Sequence, residues 1–92
     1  MEALMKINGD FIKREIAGDI LLIPTGETAL KFNGMITMTE TGSLIWDEIL
    51  KGSSKENIIK AMLENYEVSE DEATEDIDQF INRLKDAGFV SE

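Results

Sequence analysis

The densest run of ionisable groups in this 92-residue chain is ENYEVSEDEATEDID, Glu64 to Asp78, with eight carboxylates and no base. A calcium loop needs oxygens that converge on one point, as in a DxDxDG turn with a distal glutamate, and that spacing is absent. General acid–base catalysis needs one carboxyl of a pair desolvated in a cleft, and nothing in the run predicts such burial. The run reads instead as a solvated helix face whose leading acids sit where a helix dipole favours negative charge.

The remaining chemistry is sparse. The chain has no cysteine and no histidine, so it holds no thiolate nucleophile, zinc-thiolate site, disulfide or imidazole proton shuttle. The junction Thr39-Glu40-Thr41-Gly42 has one glycine and no nearby lysine, short of what a phosphate loop requires. Thr39 or Thr41 as an N-cap, with acid in the first turn, accounts for these residues without a ligand. Lys13-Arg14 and the Arg83, Lys85 pair are the two local concentrations of base; edge-strand solubility or pairing with the acidic half explains them. No cofactor or metal motif is present, and no enzymatic activity is expected.

Charge excludes further classes. Nineteen acids against nine bases give a net of −10. Residues 1–39 account for −1 and residues 40–92 for −9. Affinity for nucleic acid comes mostly from Lys and Arg displacing counterions, so nucleic acid and anionic membrane are disfavoured partners. The first residues, MEALMKING, have neither the basic nor the apolar segment of a signal peptide, and no window approaches a membrane span. A soluble cytoplasmic protein is the expectation.

The elements that must position any site follow from periodicity. Residues 1–10 pattern weakly and end in Asn8-Gly9-Asp10, which predicts a flexible arm or a short leading strand; residues 11–92 are read as one domain. Phe11 to Ala17 and Ile20 to Pro24 are β-prone runs joined by Gly18-Asp19, consistent with a type II′ hairpin. Pro24 ends the second run or places it at an edge. Ala29 to Phe32 could extend a strand, but Asn33-Gly34 punctuates the segment before a third strand, Met35 to Met38 or Thr39.

The apolar period then changes from two to 3.6. Leu44, Ile45, Trp46, Ile49 and Leu50 share one face of a first helix that stops at Lys51-Gly52, and Trp46 reads as core. Ser53 with Glu56 suggests a capping box for a second helix, whose apolar side carries Ile58, Ile59, Met62, Leu63 and Tyr66. Ser69 with Glu72 repeats the device for a third, in which Ala73, Ile77, Phe80, Ile81 and Leu84 form one stripe. Gly88 fits a C′ position, with Phe89-Val90 folding back onto the core. Three strands cannot bury their apolar face alone, so the helices must cover the sheet. The predicted class is α+β and winged helix-turn-helix-like, with three N-terminal antiparallel strands followed by three helices.

Taken in order, FIKREIAGDILLIP, NGMITMTETGSLIWDEILKG and the acid-capped helix ending in Ala-Gly-Phe-Val resemble the PqqD-like family, also called RiPP recognition elements, over roughly residues 11–90. The resemblance implies a non-catalytic adaptor. Such a domain holds the leader of a ribosomally made precursor peptide and presents it to a modifying enzyme, often a radical SAM enzyme. Recognition of that kind is strand addition to an exposed sheet edge. Carried onto this chain, the accepting strand is Gly34, Met35, Ile36, Thr37, Met38 and Thr39. The facing helix is Glu72 to Asp86, where Asp76, Gln79 and Arg83 flank the core stripe and Phe80 stands at its boundary. The exposed edge also makes a homodimer chemically reasonable.

The chain departs from the family pattern at two places. Met38-Thr39 stands where Leu-Asn is usual, and Leu50-Lys51-Gly52 stands where members devoted to pyrroloquinoline quinone have Cys-Asp-Gly. The second departure points to another peptide pathway. A winged-helix DNA-binding regulator would share the fold, but its recognition helix would open with acids.

Overall fold

The computed structural model describes residues 5–32 and 34–91. Nine elements follow in the order β1 (Lys6–Ile7), β2 (Phe11–Ile16), β3 (Asp19–Pro24), α1 (Thr28–Lys31), β4 (Ile36–Met38), α2 (Glu40–Leu50), α3 (Lys55–Asn65), α4 (Glu70–Asp86) and β5 (Val90–Ser91). The expected α+β order of three antiparallel strands and then three helices is present as β2, β3, β4, α2, α3 and α4. Three short elements, β1, α1 and β5, are additions to it.

Strands β2, β3 and β4 form an antiparallel sheet in that order, with Ile12 opposite Ile23 and Leu21 opposite Thr37. Alternation sends Leu22, Ile36 and Met38 into the core, where they meet Ile45, Trp46 and Ile49 of α2, Ile58 and Met62 of α3, and the Ala73, Ile77, Phe80, Ile81, Leu84 stripe of α4. The sheet's other face is open: Ile12, Ile16 and Met35 are exposed. Of the two methionines around β4, Met38 is therefore core and Met35 is surface.

The hairpin turn differs from the sequence reading. Ile16 pairs with Asp19, so the two loop residues are Ala17 and Gly18, with φ of 51° and 87°. Two positive φ angles define a type I′ turn, whose twist matches that of the flanking strands. The register moves the turn one residue toward the N-terminus of the expected Gly18-Asp19, and an alanine takes a left-handed position.

Helix ends follow local chemistry closely. Ser69 and Glu72 complete a reciprocal capping box at α4, with Ser69 Oγ accepting from Glu72 N at 3.1 Å and Glu72 Oε1 accepting from Ser69 N at 3.2 Å. At its other end Gly88 N donates to Lys85 O and Phe89 N to Leu84 O, both at 2.9 Å, which is a Schellman motif with Gly88 at C′. Gly52 closes α2 the same way: Gly52 N donates to Ile49 O and Ser53 N to Glu48 O, both at 3.0 Å. That closure corrects one cap. Ser53 is held back against α2, its hydroxyl donating to Glu48 Oε1 at 2.9 Å, so Ser54 rather than Ser53 caps α3 by accepting from Asn57 N.

Residues 5–10, read as a flexible arm or a short leading strand, take the second form. Lys6 and Ile7 pair with Ser91 and Val90, Asn8 N donates to Phe89 O at 2.9 Å, and Met5 is buried in the core. A two-residue strand has too little period to announce itself, and its partner lies at the far end of the chain. Met1 to Leu4, the rest of that segment, and Asn33 of the expected Asn33-Gly34 turn lie outside the described residues, as does Glu92. Phe11, Phe32, Trp46 and Phe89 gather into an aromatic cluster that ties β2, α2 and the closing β1–β5 pair together, with Phe11 edge-on to Trp46 at 5.6 Å. No helix among the described residues is long and apolar enough to cross a membrane.

Candidate peptide-binding groove

β4 is an edge strand: β3 lies on one side and, among the described residues, no strand lies on the other. Within an antiparallel strand each residue turns its N–H and C=O to the same side, and successive residues alternate sides. Thr37 shows which side is which. Its carbonyl oxygen accepts from Arg83 Nη1 at 2.9 Å, so the main-chain groups of Thr37 point away from β3 and toward α4. Those of Ile36 and Met38 consequently point to β3. The open main-chain edge is thus centred on Thr37 and continues, by alternation, to Met35.

Thr39 terminates this edge. Its hydroxyl accepts from Gly42 N at 3.1 Å and its carbonyl from Ser43 N at 2.9 Å, so it serves as the N-cap of α2. Thr41, the other expected cap, bonds to Thr39 side chain to side chain at 2.9 Å. The Thr-Glu-Thr-Gly corner therefore turns the chain from strand to helix.

Between this corner and α4 lies a cleft of about 280 Å³, lined by Thr39, Thr41, Gly42, Ile45, Asp76, Gln79, Phe80 and Arg83. All four residues expected on the helix, Asp76, Gln79, Phe80 and Arg83, come together here. Of the expected strand residues, Thr37 faces the groove through its main chain and Thr39 lines it. Ile36 and Met38 contribute buried side chains beneath it, and Gly34 and Met35 are exposed where the chain enters β4. Phe80 is 8% exposed, an apolar floor rather than a projecting contact. Gln79 donates to Glu75 at 3.2 Å along the rim.

Thr41, Gly42 and Ile45 were not among the expected contacts. The signal available for Gly42 was a glycine in the first turn of a helix, where nearly any residue favours helix better. Its reason is proximity. A β-carbon there would meet Phe80 Cε1 at 3.1 Å.

Among the described residues no group of three or more His, Cys, Asp or Glu side chains is placed to hold a metal ion. Asp76 and Arg83 are, among the described residues, the ionisable groups that line the groove. Elsewhere Lys13 pairs with Asp47 at 2.7 Å and bonds Ser43 Oγ at 2.9 Å, clamping β2 onto α2, which gives the Lys13 half of the Lys13-Arg14 pair a structural role.

The architecture is thus a small antiparallel sheet covered by three helices, with its edge strand bridged to the last long helix by the Arg83–Thr37 bond beside a cleft. The family model described as coenzyme PQQ synthesis protein D (PqqD) matches residues 18–90, and the chain belongs to that family. Two solved structures share the fold. "TbiB1 in complex with the TbiA(beta) leader peptide" superposes with a TM-score of 0.73 at 21% identity, covering 95% of this chain and 95% of that one. "Lasso peptide synthetase B1 complexed with the leader peptide" does so with a TM-score of 0.75 at 19% identity, covering 98% of this chain and 100% of that one. Comparison with curated proteins finds no match.

Proposed function

We propose that this chain is a non-catalytic adaptor that captures the leader of a ribosomally made precursor peptide and presents it to a modifying enzyme, such as a radical SAM enzyme. The leader adds as a strand to the open edge of β4 and lies in the groove against α4. The observation that carries this reading is the Thr37 main chain, turned away from β3 and toward Arg83, which with the Thr39–Gly42 corner and α4 lines the adjoining cleft. Strand addition draws affinity from main-chain bonds and specificity from flanking pockets, and the groove offers both. Membership of the PqqD family and the two leader-bound structures of the same fold support it. Leu50-Lys51-Gly52, in place of the Cys-Asp-Gly of members devoted to pyrroloquinoline quinone, favours a different peptide product.

The net charge of −10, and the acids Glu70, Asp71 and Glu72 opening α4, weigh against the DNA-binding reading of a winged helix. The same open edge would accept β4 of a second copy, so homodimers are expected to compete with peptide; a monomer at high concentration in sedimentation would remove that expectation.

The test is titration of the ¹⁵N-labelled chain with the leader of the precursor peptide encoded beside it. Amide shifts should concentrate on residues 34–39 and α4, and changes confined elsewhere would overturn the reading. Thr37→Pro sharpens the test. An edge strand tolerates proline where the N–H faces outward, so the β3–β4 ladder should persist while peptide binding is lost.

A further inference from the structure

The two charged side chains of the groove are opposite in sign and lie at opposite ends of it. Arg83 marks the Thr37 end, through its bond to the Thr37 carbonyl. Phe80 lies one turn along α4, against Gly42 and the start of α2. Asp76 lies a further turn on and lines the cleft with Thr39 and Thr41. Asp76 and Arg83 are seven residues apart in α4, or about 10 Å along the helix axis.

A strand in this groove would turn every second side chain toward α4, at intervals of roughly 6.7 Å. Three successive α4-facing side chains span roughly 13 Å, which matches Asp76, Phe80 and Arg83 once the reach of long charged side chains is included. Resting on the peptide-groove reading above, we infer that the groove reads charge order along its ligand. The ligand is an extended peptide with Lys or Arg opposite Asp76, an apolar side chain over Gly42, Ile45 and Phe80, and Asp or Glu opposite Arg83.

The sheet sets the direction. Both existing strand pairs are antiparallel, and an antiparallel fourth strand runs from the Thr39 end to the Thr37 end. The order from N- to C-terminus is then basic, spacer, apolar, spacer, acidic. A parallel strand would invert it. In the free protein the Arg83 guanidinium occupies the acceptor that the new strand needs. A ligand N–H takes over the Thr37 carbonyl, and the released guanidinium meets the ligand carboxylate, a stronger partner than a neutral carbonyl. A peptide carrying both signs also avoids the long-range repulsion that a purely acidic ligand would meet from a chain of net charge −10.

The probes are two blocked synthetic peptides of identical composition, Ac-Thr-Val-Lys-Thr-Leu-Thr-Glu-Val-Thr-NH₂ and the same sequence with Lys and Glu exchanged. Each is titrated into the ¹⁵N-labelled full chain, with the Thr37 amide shift reporting strand addition and its concentration dependence the Kd. The Lys-first peptide should bind about tenfold more tightly, the scale expected when two partly exposed ion pairs replace two like-charge contacts. The double variant D76K/R83E should reverse the preference. Asp76→Asn and Arg83→Gln, which leave α4's buried stripe untouched, should each reduce it if the double variant fails to fold. Equal affinities with the Thr37 amide shifted would overturn the charge-order inference and leave the peptide groove standing. A preference for the Glu-first peptide would overturn the antiparallel order. No Thr37 shift with either peptide would overturn the groove reading and the inference with it.

Discussion

A β-carbon added to Gly42 would lie 3.1 Å from Phe80 Cε1, so the first turn of α2 and the middle of α4 approach as closely as a glycine permits. This contact fixes where the floor of the groove lies. Gly42→Ala sets two effects against each other: alanine favours the helix by about 1 kcal/mol, while the Phe80 ring must move by a few tenths of an ångström. Stability in urea should change by less than ~1 kcal/mol. Leader affinity should fall, because the displaced ring enters the cleft. Unchanged affinity would show that Phe80 does not bound the proposed peptide site.

Ala17 sits at φ 51° in the β2–β3 turn, a conformation that costs an alanine roughly 1–2 kcal/mol and that asparagine tolerates far better. Ala17→Asn should raise stability by about 0.5–1 kcal/mol, read from the midpoint of denaturant unfolding at constant m. A decrease would mean that the turn is not type I′ in solution.

Glu48 closes the α2–α3 corner. Its carboxylate accepts from Lys51 Nζ at 3.0 Å and from the Ser53 hydroxyl at 2.9 Å. The Lys51 hydrogen bond, then that of Ser53, hold its carboxyl below the usual value of 4.5 against the opposing effect of burial. A depressed folded-state pKa contributes stability that is whole above the unfolded value and is lost as pH falls through the folded one. The wild-type advantage over Glu48→Gln should therefore be level from neutral pH down to about 5 and shrink below 4.5. A gap that stays constant to pH 3 would contradict this account.

Trp46 is fully buried and meets Phe11 edge-on. Trp46→Ala should cost about 3–5 kcal/mol, a large share of the 5–15 kcal/mol typical of a domain. Its thermal unfolding should broaden or disappear, and Trp46→Phe should recover most of the loss.

Much of this protein was legible along the chain, because the signals concerned are local. The Ser69–Glu72 capping box, the Gly88 stop, the stripe from Ala73 to Leu84 and the buried side of Trp46 each depend on residues within a turn or two of one another. The strand-to-helix order followed from a change of period, and the family resemblance followed from that order. Where two readings differed by one residue, local pattern did not decide: Ser54 caps α3 because the Gly52 closure draws Ser53 back to Glu48, and the hairpin turns at Ala17-Gly18 because the register pairs Ile16 with Asp19.

What only the tertiary structure decided is pairing across distance. Nothing near Lys6 announces Ser91 as its partner, and nothing near Arg83 announces the carbonyl of Thr37. The helical stripe of Asp76, Gln79 and Arg83 was visible as a flank in the sequence, but two flanks border any apolar stripe. The choice between them is made when α2 packs against α4 and sets Gly42 on Phe80, which turns this flank toward the open edge of β4. Local periodicity specifies which residues share a face; only the packing of one face on another specifies what that face looks across at.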